Sequence, residues 1–293
     1  MEDEAWNGPS GREGVSGPDD GSDAEGGSDA EVLGPLAVLL EDPSASAVLT
    51  DFDGTLSPIV PDPAEAYPLP EAPGVLAALA RRFAVVAVVS GRPVSFLAQR
   101  LAAAGPDVRL FGAYGLEWID DGHVRRAPEA ESWRDAVAQV VGAARAEFAA
   151  DAVGIEDKGV SVTVHWRLAP EAGARAEAFA GVWSARTGLI LQPGRMAVEF
   201  RPPVGIDKGE VVERVARGCA AACFAGDDAG DLAAFEALDR LALEGTSTVR
   251  LAVADEETPP ALLAAADFVA RGPSEALALF GALAARTGRP RPQ

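Results

Sequence analysis

Two carboxylates two residues apart are the first chemical signal in the sequence. Asp51 and Asp53 follow an apolar run at residues 47–50, which Gly54 and Pro58 end. Such a run is typical of a buried parallel strand, and open α/β sheets carry their chemistry just beyond such strand ends. Carboxylates this close need a cation, a shared proton, or a division of labour in which one attacks and the other handles a proton.

More polar side chains are predicted where other strands end or helices begin. They are Ser90, Lys208, Asp227, Asp228 and Asp231. Five carboxylates in one pocket would repel one another, so a hard divalent cation is implied, and ligands that are all oxygens suit Mg²⁺. A lysine can bind a phosphate, and a serine at a helix N-terminus can donate to an oxyanion. Together these residues indicate phosphoryl transfer through an aspartyl-phosphate.

Each of these residues also has an ordinary structural interpretation. A lone Asp-x-Asp caps a helix or forms a turn, and Ser90 alone could cap the helix that follows it. Lys208 by itself is typical of a solvated lysine at a helix start. The order of the set along the chain, together with its strand context, is what favours chemistry.

The elements that must position these residues alternate between strands and helices. Pro73 begins a helix, and the β-branched run at residues 84–89 is typical of a strand buried on both faces. Pro93 opens the next helix. The alternation resumes at Asp207 and continues to a helix that starts at Ser274. This order predicts an α/β fold with a doubly wound parallel sheet.

A different pattern separates the two halves of that alternation. Residues 131–150 predict one long helix, and residues 160–167 and 195–201 alternate between apolar and polar side chains. The alternation is typical of an antiparallel sheet with one face exposed or facing a ligand. We therefore predict an inserted α+β cap. The predicted division is 1–31 disordered acidic segment, 32–118 first core part, 119–203 cap, 204–287 second core part and 288–293 tail.

Composition and charge exclude some classes of partner. The net charge is −20, and residues 1–31 carry ten acidic residues against one arginine. The remaining chain is still acidic, which argues against nonspecific nucleic-acid binding. No apolar run reaches membrane-spanning length, so no membrane partner is expected, and the lack of a signal-peptide pattern predicts a cytoplasmic protein. The oligomeric state stays open, with a monomer as one option.

Four motifs resemble those of the haloacid-dehalogenase-type phosphatase superfamily. They are Asp51-Phe52-Asp53-Gly54-Thr55-Leu56, Ser90-Gly91-Arg92, Lys208-Gly209, and Gly226-Asp227-Asp228 with Asp231. Further segments are similar to the trehalose-6-phosphate phosphatases within it. They are Ser57-Pro58-Ile59, Gly115-x-Glu117, Glu156-x-Lys158-Gly159, Val164-His165-Trp166-Arg167, and Gly194-x-x-x-Val198-Glu199-x-Arg201-Pro202. The resemblance spans about residues 46–235 and implies a Rossmannoid core with an inserted cap.

The resemblance also implies a role for each matched residue. Asp51 is expected to be the nucleophile and Asp53 the general acid/base. The other implied sets are Ser90, Gly91 and Lys208 for the phosphate; Asp51, Asp227 and the backbone carbonyl of Asp53 for Mg²⁺; Asp228 and Asp231 for orienting the metal site and Lys208; and Arg92, Glu156, Lys158 and Glu199 for the sugar. His165 is given no role.

The implied activity is Mg²⁺-dependent hydrolysis of trehalose 6-phosphate to trehalose and phosphate, a step of trehalose biosynthesis, with a small sugar phosphate as the partner. Three further functions stay open. They are a phosphatase of the same build for a sucrose- or glycosyl-glycerate-type phosphate, a phosphomutase, and a non-catalytic regulatory partner of trehalose-phosphate synthase. The chain departs from the family pattern at Tyr114, where histidine is frequent. Tyrosine can still hydrogen-bond or stack there.

Overall fold

A computed structural model describes residues 32–194, 196–256 and 258–286. The predicted disordered segment 1–31 and the predicted tail 288–293 lie outside the described residues. The strands are β1 (Ser46–Thr50), β2 (Val85–Val89), β3 (Val108–Gly112), β4 (Glu117–Asp120), β5 (His123–Arg126), β6 (Gly154–Asp157), β7 (Val162–His165), β8 (Ile190–Gly194), β9 (Ala197–Arg201), β10 (Ala221–Gly226), β11 (Ser247–Ala254) and β12 (Phe268–Arg271). The helices are α1 (Ala72–Ala80), α2 (Val94–Arg100), α3 (Pro128–Glu131), α4 (Arg134–Glu147), α5 (Gly173–Thr187), α6 (Lys208–Ala216), α7 (Leu232–Leu243), α8 (Pro260–Ala265) and α9 (Gly272–Ala285).

The larger sheet, here called the core sheet, has the strand order β12-β11-β10-β1-β2-β3-β4-β5. The first six strands in this order, from β12 to β3, are parallel to one another. Strands β4 and β5 pair antiparallel at the β3 edge. All residues of β1 and β2 are buried, which is why their sequences are apolar runs without alternation. The predicted α/β fold with a mainly parallel sheet is confirmed.

Apolar clusters cover both faces of the core sheet. Val48 of β1 packs into one cluster with Phe52 and Phe280, whereas Leu49 packs into the other with Phe224 and Phe235. Burying each such side chain contributes about 1.5–3 kcal/mol. Because successive residues of β1 are held from opposite sides, the loop that follows β1 starts from a rigid position.

The four-stranded sheet, here called the cap sheet, has the order β6-β7-β9-β8 and is antiparallel throughout. Its apolar face, with Val162, Val164 and Phe200, packs with residues of α4 and α5. The predicted alternation is therefore confirmed, and the opposite face is polar. The predicted helix at 131–150 is observed as α4, which is three residues shorter at each end. The one-turn helix α3 precedes it, and Ser132 and Trp133 separate the two.

The β4–β5 hairpin lies in the core sheet, through the pairing of β4 with β3. The predicted cap boundary at residue 119 therefore falls inside a strand of the core sheet. The hairpin turn at Asp121 and Gly122 has φ values of 47° and 74°, as the tight Asp-Gly turns of hairpins require. The division into a core and a cap domain stays a prediction. Among the described helices, none has the length and apolar character that crossing a membrane would need.

Candidate active site

A cleft lies between the carboxyl ends of the central parallel strands and the polar face of the cap sheet. The predicted site residues that line it are Asp51, Asp53, Ser90, Gly91, Arg92, Glu156, Lys158, Glu199, Lys208 and Asp228. The other two predicted residues, Asp227 and Asp231, lie beside Asp51, with carboxylate oxygens of the three within 4.8 Å of one another. The fold thus brings the predicted set together from segments far apart in the chain.

The loop after β1 and the start of α6 meet in a buried ion-pair chain. Lys208 Nζ lies 2.9 Å from Asp51 Oδ2 and 2.6 Å from Asp231 Oδ1. Burial alone would lower the pKa of Lys208, but the Asp231 and Asp51 carboxylates outweigh it and raise that pKa, so the ammonium stays charged. Burial raises the pKa of Asp51 well above its usual range, although Lys208 opposes this rise. The positive charge of Lys208 therefore only partly balances the negative charge of these buried carboxylates.

The same cluster fits a hard cation. Asp51 Oδ1 is buried and finds no hydrogen-bond partner among the described residues. Burial and the neighbouring Asp51 and Asp231 carboxylates raise the pKa of Asp227 as well. A Cβ added at Gly54, whose φ is 70°, would lie only 2.0 Å from Asp227 Oδ2, so glycine lets this carboxylate approach the loop after β1. An unpartnered buried oxygen, surplus negative charge and all-oxygen donors match the ligands of Mg²⁺.

The three clustered carboxylates and the predicted Mg²⁺ ligands share Asp51 and Asp227, but the third residue is Asp231 in the cluster and Asp53 in the prediction. Asp231 joins Asp51 and Asp227 in the cluster, and its Oδ2 also accepts from the backbone N–H groups of Asp227 and Asp228 at 2.9 and 3.1 Å. The Asp53 carboxylate is not part of this cluster and is bound by Arg92 instead. A contribution from the Asp53 backbone carbonyl, as the resemblance implies, stays a prediction.

Arg92 connects the core side of the cleft to the cap. Its Nε and Nη2 each donate to one oxygen of Asp53 at 2.7 Å, and its Nη1 lies 3.4 Å from Glu156 Oε1. Nη1 also donates to the Pro63 carbonyl at 2.8 Å, and the guanidinium lies 4.8 Å from the Phe96 ring centroid. A two-point fork of this kind fixes the orientation of the Asp53 carboxylate.

The loop after β2 brings Ser90 and Gly91 into the cleft. The Ser90 N–H donates to the Phe111 carbonyl at 3.0 Å, and its Oγ accepts from the Arg92 N–H at 3.2 Å. The hydroxyl thus stabilises the turn before α2, but it does not cap that helix, whose N-cap is Pro93. The helix-cap interpretation is therefore wrong, whereas Ser90 lines the cleft, the position that phosphate binding requires.

On the cap side, Glu199 is the centre of a second buried cluster. Its Oε1 accepts from Ser161 Oγ at 2.6 Å and from Lys158 Nζ at 3.2 Å, and its Oε2 accepts from Tyr114 Oη at 3.1 Å. These donors are two hydroxyls and one ammonium, and they occupy both oxygens of the carboxylate. The carboxylate is thus paired before any ligand enters.

Glu156 has a partner that the sequence interpretation missed. His165 Nε2 lies 3.0 Å from Glu156 Oε2, and both residues line the cleft. Burial alone would raise the pKa of Glu156, but the His165 hydrogen bond and the Lys158 and Arg92 charges lower it to about 2. The sequence did contain a signal for this contact. By the alternation along its strand, His165 lies on the same polar face as Ser161, which donates to Glu199.

Glu117 and Tyr114, which the family comparison by sequence singled out, differ in their relation to the cleft. Glu117 is buried and does not line the cleft; it accepts from the Val94 N–H at the start of α2 and from Arg126. Tyr114, where the pattern departs from the family, lines the cleft and contacts the cap cluster. The sequence allowed it a hydrogen bond or a stacking contact, and the structure shows both.

Comparisons with known proteins show the family to which this chain is related. The model of the family described as trehalose-phosphatase matches residues 49–261. A trehalose-phosphate phosphatase of Mycolicibacterium paratuberculosis is 34% identical over 236 residues, which cover 77% of this chain and 59% of that protein. A Sinorhizobium fredii protein described as "Probable trehalose-phosphate phosphatase" is 32% identical over 70% of this chain and 78% of its own length. The chain thus spans about three fifths of the mycobacterial relative.

A solved structure shares the fold. The C-terminal domain of Candida albicans trehalose-6-phosphate phosphatase aligns with a TM-score of 0.69, over 87% of this chain and 98% of that one. The two sequences are 22% identical, so this likeness concerns the arrangement of the backbone alone.

Proposed function

Since the chain belongs to the trehalose-phosphatase family, we propose that it hydrolyses trehalose 6-phosphate to trehalose and phosphate with Mg²⁺ as cofactor. One observation carries the proposal: the buried Asp51 and Lys208 line the same cleft as Glu156, Lys158 and Glu199 of the cap side. The core side suits a phosphoryl group. The cap side offers paired polar groups rather than an apolar slot, which suits a neutral sugar with many hydroxyls.

In the proposed reaction, the Asp51 carboxylate attacks phosphorus and forms the aspartyl-phosphate. The bond between phosphorus and the sugar oxygen breaks, and Asp53 gives its proton to that leaving oxygen. Asp53 then takes a proton from the water that attacks the aspartyl-phosphate, which releases phosphate and restores Asp51. Lys208, Ser90 and the Gly91 backbone bind the phosphoryl oxygens in both halves.

Arg92 orients the ionised Asp53 carboxylate that takes the proton from water in the second half. Its fork holds the two oxygens of that carboxylate at 2.7 Å, in a wall of the same cleft. The Arg92 contact to Glu156 ties this orientation to the cap, so a ligand held by the cap meets the proton-transfer group in a fixed geometry. Glu156, Lys158 and Glu199 are proposed to bind sugar hydroxyls.

For the metal, the proposed ligands are the carboxylates of Asp51 and Asp227 and the backbone carbonyl of Asp53. Asp231 and Asp228 would orient them, Asp231 through its bonds to Lys208 and to the backbone after β10. When bound, Mg²⁺ would neutralise the crowded carboxylates and the charge of the phosphoryl group. The unpartnered Asp51 Oδ1 supports this assignment.

We also propose that the segment from α3 to β9 acts as a cap domain that closes over the substrate. Solution scattering with and without a non-hydrolysable substrate analogue tests this: closure reduces the radius of gyration, and identical profiles would argue against it. The proposed location is the cytoplasm, where sugar phosphates are made, and the proposed partner is the small-molecule substrate alone.

Phosphate release across a panel of esters tests the function. The panel contains trehalose 6-phosphate, sucrose 6-phosphate, glucose 6-phosphate, a glycosyl-glycerate phosphate and phenyl phosphate, each with the full chain and Mg²⁺. We expect kcat/KM for trehalose 6-phosphate to exceed the others by at least about a hundredfold, since several polar contacts discriminate together. Equal or better turnover of another sugar ester would replace the proposed substrate.

The same assay distinguishes a phosphatase from a phosphomutase and from a non-catalytic protein. A phosphomutase would yield an isomerised sugar phosphate in place of free phosphate. A non-catalytic regulatory partner would release no phosphate from any ester. Asp51, Asp53, Lys208 and Asp227 are all present in the cleft region, and a purely regulatory role requires none of these side chains.

A further inference from the structure

Tyr114 lies at the junction of the core and the cap in a strained backbone. Ala113 and Tyr114 have φ values of 49° and 59°, in the left-handed region that side-chain-bearing residues seldom adopt. Such strain persists where surrounding contacts enforce it, and it occurs often at functional sites. The contacts that enforce it here point in two directions.

Towards the core, Tyr114 contacts the proposed phosphate-binding loop. Its N–H donates to the Ser90 carbonyl at 2.9 Å. Its ring lies directly against Gly91: a Cβ added at Gly91 would be 2.7 Å from Tyr114 Cζ and 2.8 Å from its Oη. Any larger residue at position 91 would displace the ring, so the loop and the tyrosine are fitted to each other.

Towards the cap, Tyr114 contacts the cluster around Glu199. Its hydroxyl donates to Glu199 Oε2 at 3.1 Å, while Ser161 and Lys158 bind the other oxygen. The Arg201 guanidinium of β9 lies 4.0 Å from the ring centroid, so the ring is covered from the cap as well. Burial and the Glu199 carboxylate raise the pKa of Tyr114, so the phenol keeps its proton and remains a donor.

We propose that Tyr114 is a positioning residue that aligns the sugar-binding carboxylate Glu199 with the phosphate-binding loop. This inference rests on the proposed function, because it concerns how a sugar phosphate is held at both ends. Glu199 Oε1 has its donors within the cap, whereas Oε2 is bound by a residue of the core. Without the Tyr114 hydroxyl, the carboxylate would follow the cap alone, and its distance from the phosphate site would no longer be fixed.

Tyr114→Phe tests the inference, because it removes the hydroxyl and keeps the ring. The lost bond to a charged acceptor predicts about a tenfold loss of kcat/KM for trehalose 6-phosphate, mostly through KM. Phenyl phosphate has no sugar for Glu199 to hold, so its kcat/KM should change less than about twofold. The matched control is Tyr67→Phe, which removes the hydroxyl of an exposed tyrosine that does not line the cleft.

A double-mutant cycle with Glu199→Gln shows whether Tyr114 acts through that carboxylate. If it does, adding Tyr114→Phe to Glu199→Gln costs less than about twofold further, so the two changes are not additive. Fully additive effects would overturn the inference. A purely structural role would also lower the activity towards phenyl phosphate, and equal losses on both esters would overturn the inference too.

The outcomes also separate this inference from the proposed function. A wild-type enzyme with no preference for trehalose 6-phosphate over phenyl phosphate would overturn both. A wild-type preference that Tyr114→Phe retains in full would leave the proposed function intact and overturn the positioning role alone.

Discussion

The two sides of the cleft handle charge in opposite ways. On the core side, the Lys208 ammonium pairs with Asp51 and Asp231, and Asp227 lies beside them. Burial and the mutual repulsion of these carboxylates raise the pKa of Asp51 and Asp227. On the cap side, the His165 hydrogen bond and nearby cations outweigh burial and lower the pKa of Glu156 to about 2. One cluster is short of positive charge, and the other is not.

This difference suggests a division of labour. A cluster short of positive charge gains most from a cation and from a reaction that uses an ionised carboxylate. A cluster that is already paired keeps its geometry without a ligand and can exchange hydrogen bonds with neutral hydroxyls. We therefore expect changes on the core side to affect every phosphate ester, and changes on the cap side to affect only esters that carry a sugar.

The largest expected effect is that of Asp51→Asn. The amide keeps the shape but cannot attack phosphorus, so kcat should fall by at least about a thousandfold for trehalose 6-phosphate and phenyl phosphate alike. Steady-state phosphate release measures the loss, and circular dichroism checks that the variant is folded. Wild-type rates in this variant would show that another group is the nucleophile.

Metal removal should have the next largest effect, again on both esters. Dialysis against a chelator is expected to lower kcat by at least about a hundredfold, and added Mg²⁺ should restore it. Because Asp227 is a proposed ligand, Asp227→Asn should need a higher Mg²⁺ concentration for half-maximal activity than the wild type. Full activity in the chelated enzyme would refute the idea that the core-side cluster needs a cation.

Lys158→Met should separate the two sides of the cleft. The change removes the ammonium 3.2 Å from Glu199 Oε1. It should raise KM for trehalose 6-phosphate about tenfold and spare phenyl phosphate. Arg145→Met, at an exposed position of α4, is the matched control for losing a cation of the cap. Equal losses on both esters would contradict the division of labour.

The smallest expected effect concerns stability at acid pH. The folded state lowers the Glu156 pKa from its ordinary 4.5 to about 2, so this carboxylate stabilises the protein fully above about pH 4.5. That contribution, at most about 3 kcal/mol, is lost as the pH falls towards 2. Glu156→Gln should therefore lose less stability over this range in urea unfolding, whereas Glu177→Gln, at an exposed position of α5, should follow the wild type. Parallel curves for Glu156→Gln and the wild type would contradict this assignment.

The local sequence determined the kind of fold and the identity of most residues around the cleft. Strands buried on both faces need continuous apolar runs, so residues 47–50 and 84–89 could be identified without any tertiary information. Parallel strands end at one edge of a sheet, so the polar residues that follow them converge there. Strict alternation likewise indicated which side chains of β7 and β9 face the cap core.

The tertiary structure alone decided which of these side chains pair. Arg92 binds Asp53, and Asp231 joins the carboxylates of Asp51 and Asp227 that could hold a cation. His165 binds Glu156, and Tyr114 donates to Glu199. The partners of these pairs are separated by up to 180 residues in the chain, the value for Asp231 and Asp51. The β4–β5 hairpin joins the core sheet through its pairing with β3. Local periodicity specifies the face on which a side chain lies, but the partner across the cleft depends on how the cap sheet packs over the core, which no short segment encodes.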